Sequence, residues 1–318
     1  MRYLLIPALF CLFYSASWAQ SSLNDIKQLI EKEDFTEADK RISDVLDREE
    51  DLAPGDLAQW HYYQGFVHAR LFFSQIDQDN TNITDTHLEI AIDGFNKAYE
   101  TGQPDIQLRA LKFLDGLYVF LADLSRTAYR ESKNTRFFHY SRWASYCHLY
   151  VCRESVNLGW SYSFNENMLL LTAHGAELCG QKEVALDWYL RLIETGTKNV
   201  QVYRNASRLY EGNGDLDNAL SIIDFGILKY PNAKDIFQLK LDLLLRHRRF
   251  DTLIKECQKG ITRFPEDKAR FYQIIGNAQD QACIDVIPSE RNLQMGLDGK
   301  HLSHKGLAIT FPTVKPLG

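Results

Sequence analysis

The chain has 318 residues, of which 45% are hydrophobic and 25% charged, and its formal net charge is −6. A chain of this length can bury a substantial core. Its acidic balance argues against a nucleic-acid partner, which favours clustered basic surface, and against adhesion to anionic lipid. These are the two partner classes that composition disfavours.

Residues 1–19 have the pattern of a secretion signal. A basic residue precedes an apolar run over residues 3–14, and small residues follow at Ser17 and Ala19, as signal peptidase requires. The run is shorter than the roughly 20 residues that span a bilayer. No cysteine follows the small residues, so the chain does not resemble a lipoprotein. We expect a signal peptide and a periplasmic or extracellular chain without a stable membrane anchor.

Residues 20–104 show the apolar stripes expected of antiparallel helix pairs. An apolar residue stands three positions before a small one at Phe35 and Ala38, and again at Leu88 and Ala91. Residues at this offset share one face of a helix. We therefore expect two helix pairs in this segment.

A polar insertion, residues 77–86, separates the helices of the second pair. Its alternating carboxylates suggest a calcium loop, which needs glycine at the sixth position and a bidentate glutamate at the twelfth. Counted from Asp77, these positions hold Asn82 and Leu88, so we predict a solvated turn and no metal site. Asn82 and Asn205 also begin glycosylation sequons, which matter only on a eukaryotic secretory route.

Residues 105–165 form an aromatic-rich helical pair without a clear repeat signature. Aromatic residues are dense over residues 60–164 and include Trp60, Trp143 and Trp160. Aromatic stripes at helical spacing usually fill the gaps between helices. The alternative is an exposed aromatic shelf for sugar rings or apolar peptide side chains, and the exposure of the rings decides between the two.

Residues 166–267 divide into three consecutive 34-residue units, which begin at Glu166, Val200 and Lys234. Small residues recur at fixed positions in these units, and an aromatic residue followed by proline closes the second and the third. Small side chains allow two helices to touch closely, and proline ends the second helix. A fixed period of this length is typical of paired helices stacked into a solenoid.

The period, with Gly226 and Gly260 at one position of successive units, resembles the tetratricopeptide repeat (TPR) family. The resemblance implies an all-α fold, a right-handed solenoid of antiparallel helix pairs, to which residues 20–104 add two diverged units. It also implies a concave groove lined by the first helix of each unit. A TPR array is a scaffold, so the resemblance does not name the partner.

The resemblance also implies which residues line the partner-binding groove. They are Asn167 and His174 of the first unit, Arg204, Asn205 and Arg208 of the second, and Gln238 and Asp242 of the third. Arg204 and Arg208 share a helix face, where two guanidiniums can grip a carboxylate or phosphate. The alternative is that they pair with Glu211, Asp242 or neighbouring acids on a solvated face. The dicarboxylate clamp of chaperone-binding TPR domains is not expected, because Leu239 stands where that clamp needs a basic residue.

After the last unit, residues 268–283 predict one capping helix, and residues 284–318 predict an extended tail. Pro288 and several glycines in the tail break helices. Residues 307–311 have the composition of a short strand, and we expect residues 307–314 to dock on the last helices in place of a capping repeat.

No catalytic motif emerges from the sequence, and the nine histidines are scattered. We therefore expect no enzyme and no cofactor. The predicted function is a non-catalytic protein–protein interaction scaffold of the cell envelope or periplasm, which binds a peptide or a partner subunit in its groove. The alternative is a glycan-binding module that uses the aromatic-rich residues 60–164.

Overall fold

The computed structural model describes residues 22–77 and 86–294, with side chains as far as residue 282. Thirteen α-helices occupy these ranges. They are α1 over residues 22–31, α2 Phe35–Leu46, α3 Pro54–Asp77, α4 Thr86–Thr101, α5 Pro104–Arg130, α6 Asn134–Ser155, α7 Glu166–Leu178, α8 Lys182–Glu194, α9 Val200–Gly212, α10 Leu216–Lys229, α11 Lys234–Arg246, α12 Phe250–Arg263 and α13 Lys268–Gln294.

The predicted all-α class, built from antiparallel helix pairs, is confirmed, because consecutive helices pack on one another and these ranges contain no strand. Among these helices none is both long enough and apolar enough to cross a membrane. The predicted signal peptide, residues 78–85 of the polar insertion and the predicted docking segment 307–314 lie outside the described residues.

Five helix pairs turn in the same way. The turn residue has a left-handed backbone in each of them, at Glu33, Ser132, Gly180, Gly214 and Arg248. In the α7–α8 turn, Gly180 N–H donates to Glu177 O at 2.9 Å, and Gln181 N–H donates to Ala176 O at 2.9 Å. This pair of hydrogen bonds satisfies the last carbonyl groups of the helix. The pair α5–α6, which has no repeat signature in its sequence, therefore shares the turn of the regular units.

The helices of the regular units begin 34 residues apart. The first helices α7, α9 and α11 begin at Glu166, Val200 and Lys234, where the sequence places its units, and α13 begins 34 residues later at Lys268. The second helices α8, α10 and α12 keep the same spacing. Residue 268 thus opens a further first helix in register with the repeat.

Helix α13 is longer than the predicted capping helix. It runs from Lys268 to Gln294, so the first part of the predicted extended tail, residues 284–294, is helical. Pro288 lies within it, whereas Gly296, the first glycine beyond Cys283, lies after its end. The prediction that the helix stops at Cys283 was wrong, because it treated one proline as a full break while the surrounding residues are compatible with helix.

The helices divide into two compact units, unit 1 up to Leu209 and unit 2 from Tyr210, with the boundary inside α9. Helices α1, α2 and α3 of unit 1 pack around Leu23, Ile42 and Trp60, all fully buried. The core of unit 2 is built around Phe237, with aliphatic side chains from α10 to α13 packed against it.

Glycine permits a close approach of two helices at the crossing of α3 and α4. A Cβ atom at Gly94 would lie 2.8 Å from the backbone nitrogen of Gly65 and 2.9 Å from His61 O. Backbone atoms cannot rotate away as a side chain can. The two helices therefore touch through their main chains at this crossing.

Candidate functional site

The predicted groove residues are distributed over both units. In unit 1, Asn167, Arg204 and Arg208 are exposed, while His174 and Asn205 are half-buried. Gln238 and Asp242 are half-buried on α11 in unit 2. Unit 1 therefore carries five of the seven residues, on the first helices α7 and α9.

A chain of hydrogen bonds joins α7, α8 and α9 in unit 1. Gln201 Nε2 donates to Asn205 Oδ1 at 2.7 Å, and Asn205 Nδ2 donates to Tyr189 Oη at 2.8 Å. The Tyr189 hydroxyl then donates to Glu177 Oε1 at 2.7 Å, and Arg208 forms an ion pair with Glu177. We call this set the α7–α9 network. It fixes the orientation of Asn205 and Arg208 relative to the two preceding helices.

Tyr189 is the residue of the α7–α9 network that sequence reasoning missed. It lies on a second helix, α8, and its side chain is fully buried, so it has the appearance of a core aromatic. Burial raises the pKa of the Tyr189 hydroxyl, and its hydrogen bond to the Glu177 carboxylate adds to the rise. The phenol therefore stays protonated at neutral pH and donates to Glu177. In the sequence, an aromatic residue at the twenty-fourth position of the 34-residue unit that begins at Glu166 gave no sign of a polar role.

The two arginines predicted to act together have different surroundings. Arg208 is paired with Glu177, whose side chain is only 19% exposed. Pairing with an acidic residue was the alternative to partner binding in the sequence analysis. Arg208 follows that alternative, with Glu177 as its acid in place of Glu211 or Asp242. Arg204 is exposed, and no acidic group in the described part of unit 1 forms an ion pair with it. A pairwise grip by both guanidiniums is therefore not preformed.

His174 faces aromatic rings instead of polar groups. Its imidazole lies 6.2 Å from the Tyr129 ring and 6.4 Å from the Phe137 ring, measured between ring centroids. Both contacts are edge-on. His174 thus packs α7 against α5 and α6 and makes a smaller contribution to an open groove than the sequence implied.

In unit 2 the groove positions form local contacts on α11. Gln238 Nε2 donates to Asp242 Oδ1 at 2.6 Å. One turn further, Arg246 donates to both oxygens of Glu211, at 3.1 and 2.9 Å, and His247 Nε2 lies 2.8 Å from Glu211. The Arg246 hydrogen bond lowers the pKa of Glu211. Arg246, at the end of α11, therefore has a specific partner in Glu211.

A histidine on α6 belongs to a polar cluster but is not poised for catalysis. His148 Nε2 accepts from Asn165 N–H at 2.7 Å, and Tyr162, 3.4 Å from Nδ1, donates its proton to Asp115 at 2.5 Å. Burial lowers the pKa of His148, and burial raises the pKa of the neighbouring Cys152 thiol to about 11. The imidazole is engaged at both nitrogens and the thiol is not activated. This cluster holds the loop before α7 against α5.

The described residues offer no metal site. No group of three or more His, Cys, Asp or Glu side chains in these ranges is arranged to hold an ion. Burial raises the pKa of the Cys147 thiol to about 12 and that of Cys257 to about 11. These two cysteines are buried apolar side chains, as expected for cysteine inside a helical core.

The exposure of the tryptophan side chains tests part of the glycan alternative. Trp60 is completely buried, so it cannot bind a sugar ring. Trp143 and Trp160 are half-buried and contact the rings of Tyr146 and Tyr162, respectively. The three tryptophans therefore do not form one open shelf.

Comparisons with known proteins give no family model and no curated protein that matches the sequence. Solved structures with similar helices include the MamA protein, at 15% identity and a TM-score of 0.36, covering 52% of this chain and 81% of that one. YrrB, described as a TPR protein with an unusual peptide-binding site, is 13% identical with a TM-score of 0.34 and covers 68% of this chain and 92% of that one.

The P58(IPK) TPR domain is 15% identical, with a TM-score of 0.33, and the match covers 87% of this chain and 84% of that one. At these TM-scores the likenesses add nothing to the assignment of the fold. That assignment rests on the 34-residue spacing of the helices and on their common turn.

Proposed function

We propose that this chain, a helical repeat protein of the TPR type, is a non-catalytic scaffold that binds a peptide or partner subunit of the cell envelope. The observation that carries the proposal is the α7–α9 network. It holds Asn205 and Arg208 in fixed positions while the neighbouring Arg204 stays exposed and unpaired within the described part of unit 1. A preorganised polar face with one available guanidinium suits a partner that presents a carboxylate.

Within this proposal, Arg204 contacts the partner, and Gln201 and Asn167 add polar contacts at its side. Gln201 and Asn167 are exposed, so their amides are accessible. Arg208 acts as a positioning residue, because its guanidinium is already engaged by Glu177. His174 is left out of the contact surface because its imidazole packs on rings.

The location in the envelope or periplasm is part of the proposal and depends on the N-terminal sequence. A chain expressed with residues 1–19 should be exported and should begin at Gln20 when its N-terminus is sequenced. A chain that stays in the cytoplasm with residues 1–19 intact contradicts this location.

The binding function is tested by capture from envelope extract, with three matched forms of the chain. The unaltered chain should retain a specific protein, Arg204→Ala should lose it, and Arg130→Ala should retain it. Arg130 is an exposed arginine at the end of α5, so its removal changes the net charge equally. Both substitutions should leave the free energy of unfolding within about 0.5 kcal/mol, as expected at surface positions. Equal capture by all three forms would remove Arg204 from the site.

Glycan binding is not supported by the described aromatic side chains. Its three tryptophans are not presented on one face, since Trp60 is inside the core.

A further inference from the structure

Three titratable side chains are hydrogen-bonded in a row across the helices α2, α3 and α4 of unit 1. His68 on α3 is the middle one. Its Nε2 lies 2.8 Å from Asp39 Oδ1 on α2, and its Nδ1 lies 2.9 Å from Nδ1 of His87 on α4. None of the three residues belongs to the α7–α9 network or to the predicted groove.

The row is largely shielded from water. His68 is 5% exposed, and Asp39 and His87 are half-buried. Asp39 from α2 and His87 from α4 are the charged or titratable side chains that act on His68 within the described residues, and α5, which packs on α4, contributes none. In such a place the position of each proton decides whether the contact is attractive or repulsive.

The carboxylate fixes the tautomers of both imidazoles. A carboxylate only accepts hydrogen bonds, so His68 carries its proton on Nε2 and donates to Asp39. Neutral His68 then has a lone pair on Nδ1, and His87 donates to it from its own Nδ1. A charged His87 still donates from Nδ1. The row therefore accommodates one positive charge, which Asp39 balances.

A second positive charge breaks the row. If His68 is also protonated, both Nδ1 atoms carry a hydrogen and face each other at 2.9 Å with no acceptor between them. The two rings must then separate. Burial lowers the pKa of His68, the Asp39 carboxylate opposes this, and the neighbouring His87 lowers the pKa further. A separated His68 takes up the proton at its ordinary value of 6.5, so acid favours the separated form.

The separation concerns the start of α4. His87 is the second residue of this helix, which runs from Thr86 to Thr101. Further along, the main chains of α3 and α4 touch at Gly65 and Gly94, and the Phe95 side chain is fully buried. These contacts contain no titratable group and hold the rest of α4 in place at any pH.

We propose that Asp39, His68 and His87 form an acid-operated latch, which holds the first turns of α4 against α3 at neutral pH and releases them in mild acid. It responds in the range from about pH 6.5 to about pH 5, where histidine titrates. The latch goes beyond the function proposed above, because its three residues lie on α2–α4 and do not include Arg204.

The test is amide hydrogen exchange of the full chain between pH 7.5 and pH 5, corrected for the intrinsic pH dependence of exchange. Residues 90–92 have the first amides of α4 whose acceptors lie inside the helix. Their protection should fall by up to about tenfold per pH unit below about pH 6.5, because the released form binds one more proton. Residues 98–100 of the same helix should keep their protection. No fall at residues 90–92, or an equal fall in both segments, overturns the proposal.

Two substitutions alter the latch without removing its hydrogen bonds. In His87→Gln the amide donates to neutral His68 and, after rotation, accepts from charged His68, so the fall at residues 90–92 should disappear. Asp39→Asn keeps an acceptor but removes the charge that favours protonated His68, so the fall should shift to lower pH. A fall that persists in His87→Gln overturns the proposal, and an unshifted fall in Asp39→Asn removes Asp39 from the latch.

His61→Gln is the matched control. His61 is another buried histidine of α3, and it contacts no second histidine in the described ranges. This variant should show the same fall at residues 90–92 as the unaltered chain. If His61→Gln abolishes the fall, acid release comes from His61 and the latch is disproved.

Discussion

The two units share one helix–turn–helix plan but join their helices by different chemistry. In unit 1 many contacts between helices are aromatic rings and neutral hydrogen bonds, of which Tyr189 with Asn205 is an example, and the Arg208 side chain of the ion pair with Glu177 is exposed. In unit 2, Lys240 on α11 reaches Asp224 on α10 at 2.7 Å and Glu256 on α12 at 3.3 Å.

The carboxylate of Glu256 shows what this difference implies. Its side chain is 9% exposed, and Lys259 and Lys240 both pair with it. A buried charge is tolerated only while its partners are present. Unit 2 therefore depends on specific charges in its interior, whereas unit 1 depends on ring packing and on close backbone contact. The same fold should respond differently to substitution and to pH in the two units.

The largest effect is expected at the α3–α4 crossing of unit 1. Gly94→Ala should destabilise the chain by about 3 kcal/mol, because the new methyl group meets backbone atoms of Gly65 and His61. In unit 2, Gly260→Ala meets the rings of Phe271 and Phe237, which can shift, so it should cost less. Chemical denaturation of each variant measures the difference.

Gly116→Ala is the matched control for both glycines, since its Cβ atom meets nothing and alanine favours helix. It should stabilise by about 0.5–1 kcal/mol. If Gly260→Ala proves more costly than Gly94→Ala, ring packing in unit 2 is more rigid than main-chain contact in unit 1, and the comparison is reversed.

A second, smaller effect compares the loss of a charged contact in unit 2 with the loss of a neutral contact in unit 1. Lys240→Met should cost about 2 kcal/mol, because it removes a charged hydrogen bond from the buried Glu256 and leaves that carboxylate with Lys259 alone. Ser145→Ala in unit 1 breaks a buried neutral hydrogen bond with the Thr172 hydroxyl and should cost about 1 kcal/mol. Thermal unfolding measures both variants.

Exposed pairs provide the reference for these values. Asp93→Ala breaks the exposed ion pair with Lys97 and should change stability by less than about 1 kcal/mol. Should Lys240→Met be equally mild, the interior charges of unit 2 are hydrated and its packing resembles that of unit 1.

The common turn gives a third effect, of about 1 kcal/mol. Arg248 in unit 2 adopts a φ of 55°. It occupies the same position in its 34-residue repeat as Gly180 and Gly214 occupy in the two preceding repeats. Arg248→Gly should stabilise by about 1 kcal/mol, because glycine has no Cβ to oppose the left-handed backbone. Gly214→Ala should destabilise by a similar amount, and a melting temperature unchanged in both variants would show that the turn is not strained.

The smallest effect near neutral pH is the loss of stability as the pH falls. The pH range of this loss differs between the two units. Burial lowers the pKa of His61, His68 and His148 in unit 1 below the ordinary value of 6.5. Because the unfolded chain binds these protons more readily, the stability from the neutral histidines is complete above about pH 6.5 and falls as the pH decreases. Amide hydrogen exchange should show α3 and α6 losing protection first.

In unit 2 the groups that matter are carboxylates. Hydrogen bonds from Arg246 lower the pKa of Glu211, and the neighbouring lysines lower the pKa of Glu256 despite its burial, from an ordinary value of 4.5. Their contribution is present above about pH 4.5 and is lost as the pH falls through the lowered values. His148→Gln should weaken the response of unit 1 between about pH 6.5 and 4.5, with His61 and His68 still titrating, and leave that of unit 2 unchanged. A simultaneous loss of protection in both units at one pH would contradict this separation.

The sequence alone determined the helix pairs and their repeat. Apolar periodicity and a 34-residue spacing depend on neighbours along the chain, so the starts of α7, α9 and α11 could be read without coordinates. The N-terminal pairs were also readable, because each needs only an apolar and a small residue at a fixed offset. The end of α13 was not, since a single proline does not decide whether a helix stops.

Tertiary structure alone decided which polar residues are available. Arg204 and Arg208 are equivalent in sequence, yet only Arg208 finds Glu177, 31 residues earlier, across the packed helices. Local periodicity fixes which side of a helix a residue occupies, but partners distant in sequence fix whether its charge remains available.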